Sequence, residues 1–156
     1  FIMKTGISVT AALFFSFLTL FPASGAMSAE PDRGAIRSVV EQQLEAFQQD
    51  DAPLAFSFAS PKIRKTFGTP GRFLSMVKSG YPEVYRPRSV TFLDVIMLRG
   101  QPTQRVLLTA PDGTQTTAHY FMEQQPDGRW LIDGCVLSAP EALSARWQGH
   151  HHPAAG

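Results

Sequence analysis

Residues 103–137 read TQRVLLTAPDGTQTTAHYFMEQQPDGRWLIDGCVL, and this stretch decides the fold. Its Pro-Asp-Gly triplets, at 111–113 and 126–128, are tight-turn signals, because proline fixes φ and glycine tolerates the positive φ that many turns require. The flanking runs are rich in Val, Ile, Leu, Thr and aromatic residues, which is typical of β-strands. Strands joined by such short turns pair antiparallel. The stretch therefore predicts three strands of a meander, at 103–110, 114–123 and 129–137.

The segments before residue 103 add one more strand and several helices. Residues 89–99 have strand composition and join the meander through the turn at 100–102. Asp32 is a helix-capping residue, and apolar residues recur at helical spacing from there to about Gln49.

Short helices are predicted between that first helix and the sheet. Asp51 caps a second helix, and Ser60-Pro61 and Thr69-Pro70 each place proline after a capping hydroxyl. These signals predict further helices at 61–67 and 70–79, with Gly80 ending the last one and Tyr81-Pro82 preventing its resumption. Helices followed by a meander give an α+β fold, with the N-terminal helices packed on one face of a curved four-stranded sheet.

Alternation along the strands sorts their residues onto two faces. Counting from the turns places Arg105 opposite His119, and His119 opposite Cys135. One side, called here the core face, is almost wholly apolar and is expected to meet the helices: Leu93, Val95, Met97, Val106, Leu108, Ala118, Tyr120, Met122, Trp130, Ile132 and Val136. The other side, called here the mixed face, carries Phe92, Asp94, Ile96, Arg105, Leu107, Thr117, His119, Phe121, Glu123, Leu131, Asp133 and Cys135.

The N-terminal residues are typical of a signal peptide. Met3 is taken as the initiator, Lys4 supplies a positive charge, and the apolar run at 7–21 is too short for a comfortable membrane span. Small residues at 24–26 predict cleavage before Met27, with an uncleaved membrane anchor as the alternative. We expect a signal peptide at 1–26, a linker at 27–34, one domain at 35–138 and a disordered tail at 139–156. The expected location is periplasmic or secreted, in the envelope of a Gram-negative bacterium.

Charge and cysteine content narrow the classes of function. Lys4 is one of 14 basic residues against 13 acidic ones, so its removal leaves a balanced charge, which disfavours nucleic-acid binding. Cys135 is the single cysteine, so no intramolecular disulfide forms. We find no nucleotide fingerprint and no metal-ligand cluster, and expect no cofactor. The histidines at 150–152 are interpreted as adventitious metal ligands at most.

A family resemblance covers residues 35–137. The run 125–134, QPDGRWLIDG, resembles the last strand of the nuclear transport factor 2-like superfamily, also called cystatin-like. The segments 36–49, 67–77 and 118–121 further resemble the bacterial family called domain of unknown function 4864. The resemblance implies a curved sheet that wraps a long helix into a cone. The superfamily contains isomerases, hydrolases and non-catalytic binding domains, so the fold does not select a function. Its isomerases use an interior aspartate with a tyrosine and a second acid, and Tyr120 is the only counterpart found here.

Two groups of charged residues are candidate sites. Asp94, Arg105, His119 and Asp133 form a row across the mixed face, in which an aspartate could orient a histidine for general-base catalysis. We favour the alternative, a charge ladder that keeps this face soluble. Cations on the short helices could form an anion-binding rim at the mouth of the cone, although solvated helix faces are favoured: Lys62, Arg64, Lys65 and Arg72.

The interior of the cone is the candidate ligand pocket, and its predicted lining is Tyr120, Met122, Trp130 and Ile132. We predict a non-catalytic domain that binds a small apolar or anionic ligand or takes part in an assembly. The alternative is a small isomerase or hydrolase that uses the same pocket. Apolar residues on the mixed face also predict a homodimer through that face, with the C-terminal tail as a rival cover.

Overall fold

A computed structural model describes residues 30–140. The helices are α1 (Arg33–Gln48), α2 (Ala52–Ser57), α3 (Pro61–Phe67), α4 (Pro70–Gly80) and α5 (Pro82–Tyr85). The strands are β1 (Ser89–Leu98), β2 (Gln101–Thr109), β3 (Gln115–Gln124) and β4 (Trp130–Ser138), which form one antiparallel sheet in the order β1-β2-β3-β4. The predicted α+β class is confirmed. The expected signal peptide and most of the expected tail, including His150–His152, lie outside the described residues.

The predicted capping residues start the first four helices. The Asp32 carboxylate accepts a hydrogen bond from the Ala35 amide at 3.0 Å, and Asp51, Ser60 and Thr69 make the equivalent bond. Each cap satisfies one amide that the helix itself leaves unpaired. The prediction that Tyr81-Pro82 prevents further helix is wrong, because α5 begins at Pro82. Proline is tolerated there because the first helical position needs no amide donor. No helix within 30–140 is both long and apolar enough to cross a membrane.

The core lies between α1 and the core face of the sheet. On α1, Ile36, Val40 and Phe47 are at most 1% exposed. They belong to one buried cluster with Val106 and Tyr120 of the sheet. Their helical spacing turns one stripe of α1 toward the strands. Burial of this stripe explains why the helices pack on that single face.

A β-bulge in β4 corrects the predicted faces after Asp133. The predicted pair of Arg105 and His119 is confirmed. Beyond the bulge, however, Cys135 lies opposite Tyr120 and Val136 lies opposite His119. The prediction that Cys135 faces His119 is therefore wrong. One extra residue in a strand reverses the alternation of every residue that follows it, so Cys135 belongs to the core face and Val136, 53% exposed, to the mixed face.

A second bulge, in β1, corrects the predicted faces of the first strand. Phe92 lies opposite Val106 on the core face, and the Arg37 guanidinium lies 4.6 Å from the centre of its ring. The predicted placement of Phe92 on the mixed face is therefore wrong. The predicted placement of Leu93 in the core is also wrong, since Leu93 is 39% exposed. Val95 follows the bulge and lies opposite Gln104, on the core side as predicted. Met97 is 60% exposed and is not a core residue.

Alanine substitution at Trp130 and at Val136 tests the bulge in β4, because strict alternation of side chains would place both residues on the core face. Trp130 is 9% exposed, so we expect Trp130→Ala to lower the free energy of unfolding by about 3–5 kcal/mol. Val136 is largely exposed, so Val136→Ala should cost less than about 1 kcal/mol. Urea unfolding of both variants measures this. A cost at Val136 of more than about 2 kcal/mol would mean that the strand runs without the bulge.

Candidate ligand-binding site

A cavity of about 230 Å³ lies between the helices and the core face of the sheet. Its lining is mainly apolar and aromatic: Gln43, Phe47, Ala59, Ile63, Phe67, Phe73, Met76, Val77, Tyr81, Val84, Tyr120, Ile132, Gly134 and Cys135. Ile63, Phe67, Met76 and Tyr81 remain partly exposed, so the cavity reaches solvent between α3, α4 and the start of α5. Gly134 and Cys135 of β4 are also partly exposed, whereas Tyr120, on the inner strand β3, is 1% exposed.

An aromatic cluster forms one wall of this cavity. The Phe73 ring, from α4, lies 6.0 Å from the ring of Phe47 and 5.6 Å from that of Phe67, measured between centroids. Phe56 adds a third contact from the side of α2 at 5.5 Å. Tilted aromatic pairs at these distances add to the stability of the core beyond burial alone. The cluster therefore joins α1, α2, α3 and α4 along this wall.

Asp50, just after α1, contacts the helices that form the outer wall of the cavity. Its carboxylate accepts hydrogen bonds from the Tyr85 hydroxyl and from Arg86, the latter at 2.8 Å, and pairs with Lys78 at 3.0 Å. The Tyr85 hydrogen bond, and then Lys78, lower the pKa of Asp50. These contacts join α1 to α4 and α5, which carry Val77 and Val84 into the cavity.

Two polar side chains of the lining, those of Tyr120 and Cys135, lie on directly opposite residues of β3 and β4. The Tyr120 side chain is 1% exposed, and its hydroxyl has no hydrogen-bond partner of good geometry among residues 30–140. Its neighbour is the thiol of Cys135, which the bulge in β4 places directly opposite, and a thiol is a weak partner. Gln43 also lines the cavity, but its Nε2 donates to the Ala55 carbonyl at 3.0 Å.

Both of these groups are protonated at neutral pH, since the ordinary pKa values of a tyrosine and a cysteine are 10.0 and 9.0. Desolvation raises the pKa of Tyr120 well above its ordinary range. Desolvation likewise raises the pKa of the Cys135 thiol to about 12, although the Tyr120 hydroxyl partly opposes this shift. The thiolate, not the thiol, is the nucleophile. Cys135 at neutral pH is therefore a small neutral group on the cavity wall.

The predicted pocket residues divide between the cavity and the packed core. Tyr120 and Ile132 line the cavity. Met122 and Trp130 are buried, but neither contributes to its lining. Trp130 instead borders a separate depression beside Pro31 and Val95. The sequence analysis missed Cys135 and Gln43 as lining residues, because the first depends on the bulge and the second on how α1 meets α2.

The charged row of the mixed face is divided into separate contacts. Arg105 donates to the Asp94 carboxylate through Nε at 2.8 Å, and this bond lowers the pKa of Asp94. Asp133 accepts from Ser60 Oγ at 2.8 Å and from Gln101 Nε2 at 3.3 Å. Lys62 lies 3.5 Å from the same carboxylate. Within 30–140 no hydrogen bond joins Asp133 to His119, so the two do not form the oriented pair that a general base requires.

The predicted cationic rim lies beside the mouth of the cavity. Ile63 and Phe67 border the mouth, and α3 also carries Arg64 and Lys65, both exposed. Arg72 is exposed on α4, and Lys62 contacts Asp133. An anion-binding role for this rim stays a prediction. In the described part of the chain, no group of three His, Cys, Asp or Glu side chains could hold a metal ion.

Comparison with known proteins gives a family. Residues 29–145 match the family described as "Domain of unknown function (DUF4864)". The chain belongs to this family. The predicted family membership is therefore confirmed over most of the chain.

The other comparisons add little about this family member. A solved structure described as "2.5 Angstrom structure of from Catenulispora Acidiphila" is similar at 15% identity, with a TM-score of 0.43, over 72% of this chain and 94% of that one. No curated protein matches this chain.

The raised pKa of Cys135 predicts a loss of stability in alkali. The folded protein holds this proton more tightly than the unfolded chain, whose thiol has the ordinary pKa of 9.0. The stabilisation is complete below pH 9.0 and is lost as the pH rises toward about 12. We expect Cys135→Ala to lose less stability than the native protein over this window. Urea unfolding at a series of pH values measures the difference, and parallel curves would contradict the burial of the thiol.

Proposed function

We propose that this protein is an exported, non-catalytic domain that binds one small, mainly apolar molecule in its cavity. The observation that carries the proposal is the cavity of about 230 Å³, which is walled by aromatic and aliphatic side chains and open at one end. Ligand pockets are typically concave and largely apolar, with a few polar groups that orient the ligand. The lining residues with polar side-chain groups are Gln43, Tyr81, Tyr120 and Cys135.

The volume of the cavity sets the size of the ligand. A dry cavity of about 150 Å³ lined by apolar side chains binds benzene. The cavity described here, about 230 Å³, is larger and suits a molecule with two fused rings or a comparable aliphatic body. Ligands of this size gain most of their affinity from burial of apolar surface.

The ionisable groups near the cavity support binding rather than catalysis. Among residues 30–140, no Asp, Glu, His, Lys or Arg lines the cavity. A general acid or base acts best when its pKa lies near the working pH, and the pKa values of Tyr120 and Cys135 are raised away from that range. Acidic groups inside the cavity would have favoured the alternative, an isomerase or hydrolase.

The ligand is expected to meet this protein outside the cytoplasm. The apolar run at 7–21 and the small residues at 24–26 support export with cleavage before Met27. Intact-mass measurement on protein recovered from the envelope of an expressing Gram-negative host is expected to give a chain that begins at or near Met27. A mature species that retains residues 3–26 would contradict both the signal peptide and the periplasmic location.

The homodimer through the mixed face stays a prediction. The corrected faces remove Phe92 from the predicted dimer surface and add Leu93 and Val136, both of which are exposed. The Asp94–Arg105 pair lies on the same face. Light scattering on the native protein and on Phe121→Lys distinguishes a dimer from a monomer.

Filling the cavity should abolish binding. Val84 lines the cavity and is 4% exposed, so Val84→Phe places a ring in the space that the ligand needs. We expect the affinity for tetralin, a bicyclic hydrocarbon, to fall by at least about tenfold, since a ligand excluded from the cavity loses its buried apolar surface. Titration calorimetry on the full chain measures this.

The matched control is Val136→Phe, which makes the same change on the mixed face. This variant should bind tetralin as the native protein does. Equal affinity in all three proteins would place tetralin outside the cavity. No binding by the native protein would contradict the proposal. Native mass spectrometry of protein purified from its own envelope then identifies a retained natural ligand.

A further inference from the structure

The helices at the mouth of the cavity are basic. Residues 52–82 form α2, α3 and α4 and reach the first residue of α5, and they contain no Asp or Glu. The same segment contains these basic residues: Lys62, Arg64, Lys65, Arg72 and Lys78. Since the whole chain holds 14 basic and 13 acidic residues, the positive charge of this segment is offset by acidic residues elsewhere in the chain.

Some of these cations already contact acidic side chains. Lys62 lies 3.5 Å from the Asp133 carboxylate, and Lys78 lies 3.0 Å from that of Asp50. The others are exposed and form no ion pair within residues 30–140: Arg64, Lys65 and Arg72. Their charges are therefore available to an anionic partner.

The two arginines lie directly beside side chains that line the cavity. Arg64 is three positions before Phe67 on α3, and Arg72 is four positions before Met76 on α4. Residues at these spacings are neighbours on one surface of a helix. Phe67 and Met76 line the cavity and are partly exposed. The rings of Phe67 and Phe73 lie 5.6 Å apart and hold α3 against α4. The mouth is therefore an apolar opening with a guanidinium on each of these two helices.

We infer that this mouth docks on the surface of an anionic phospholipid bilayer. Arg64 and Arg72 contact the phosphate headgroups, and Phe67 and Met76 lie at the boundary of the acyl chains. Docking does not require the cavity to hold a ligand, so the inference goes beyond the proposed function. One consequence does rest on the proposed function: an apolar ligand passes between the bilayer and the cavity without crossing water.

The combination of charge and exposed apolar surface favours a bilayer over an acidic protein. A bilayer offers a layer of negative charge and, within about 5–10 Å of it, an apolar interior. Basic side chains near such a surface are attracted to the anionic lipids, and the apolar side chains between them lose contact with water. An acidic polypeptide would pair with the cations but would leave the apolar opening unmatched. Because no helix within 30–140 is long and apolar enough to cross a membrane, the described domain would bind at the bilayer surface.

Sedimentation with vesicles tests the docking on the mature exported protein. We expect the native protein to sediment with vesicles of phosphatidylglycerol and phosphatidylcholine, and to stay in solution with vesicles of phosphatidylcholine alone. Each basic residue near an anionic surface changes the binding constant by about fivefold. The double variant Arg64→Gln/Arg72→Gln should therefore bind at least about tenfold more weakly. Added salt should also weaken the binding of the native protein, because it screens exposed charges.

The matched control is Arg88→Gln/Arg99→Gln, which removes the same charge from two exposed residues. These arginines flank β1, the edge strand opposite β4, whereas Ser60 joins the start of α3 to β4 through Asp133. We expect the control to change vesicle binding by less than about twofold, because charges far from the lipid are screened. Equal weakening by both double variants would overturn docking through the mouth.

Fluorescence quenching identifies the surface that touches the bilayer. Met76→Trp adds an indole at the mouth, and Leu93→Trp adds one on the exposed mixed face. Brominated acyl chains in the anionic vesicles should quench the fluorescence that Met76→Trp adds to the native signal, and should leave that of Leu93→Trp unchanged. The reverse result would overturn the inference. This measurement also decides if the double arginine variant fails to fold.

The outcomes separate this inference from the proposed function. Val84→Phe, which fills the cavity, should bind the vesicles as the native protein does. Vesicle binding without tetralin binding would support the docking and contradict the proposed function. Tetralin binding without sedimentation on anionic vesicles would overturn the docking alone. Binding of the native protein to soluble polyglutamate but not to the vesicles would also overturn it, in favour of an acidic protein partner.

Discussion

The extra residue of β4, Asp133, is the feature on which the interior of this protein depends. Its carboxylate accepts hydrogen bonds from Ser60, which starts α3, and from Gln101, at the start of β2. The Ser60 amide also donates a hydrogen bond to the Ile132 carbonyl at 2.8 Å, and the Ile132 amide donates one to the Phe58 carbonyl at 2.8 Å. The segment at 58–60 thus pairs with the edge of the sheet where the bulge occurs, and it covers part of that edge. These hydrogen bonds hold Asp133 at the bulge.

The bulge reverses the two faces of β4, and this reversal builds the candidate site. It brings Cys135 opposite Tyr120, and turns Val136 to the outside. Gly134 also borders the cavity, and it lies opposite Phe121 of the mixed face. Asp133, the predicted acidic partner of His119, instead accepts hydrogen bonds from Ser60 and Gln101. The cavity is lined mainly by neutral, apolar side chains.

The packing of short helices complements the sheet. Side-chain caps start α2, α3 and α4, and all of the short helices are too short to be stable alone, so contacts with α1 and the sheet hold them in place. The aromatic cluster around Phe73 and the contacts of Asp50 with α4 and α5 perform this role on the open side of the core. These helices and the core face of the sheet enclose an interior that is incompletely filled. The space that remains is the cavity.

The sequence by itself determined the order of the first four helices and the four strands, the capping residues and the turns, because each of these depends on residues within a few positions of one another. It also determined the pairing of Arg105 with His119, since the turn at 111–113 counts that register directly. Tyr120 and Ile132 were found as interior residues for the same reason. The bulges were decided only by the tertiary structure, because Asp133 is held by Ser60, which is 73 positions away in the chain. Everything beyond each bulge, including the side on which Cys135 and Phe92 lie, depends on that distant contact or on the packing of α1. The cavity likewise depends on how separate helices meet the sheet, a relation that no local pattern of residues specifies.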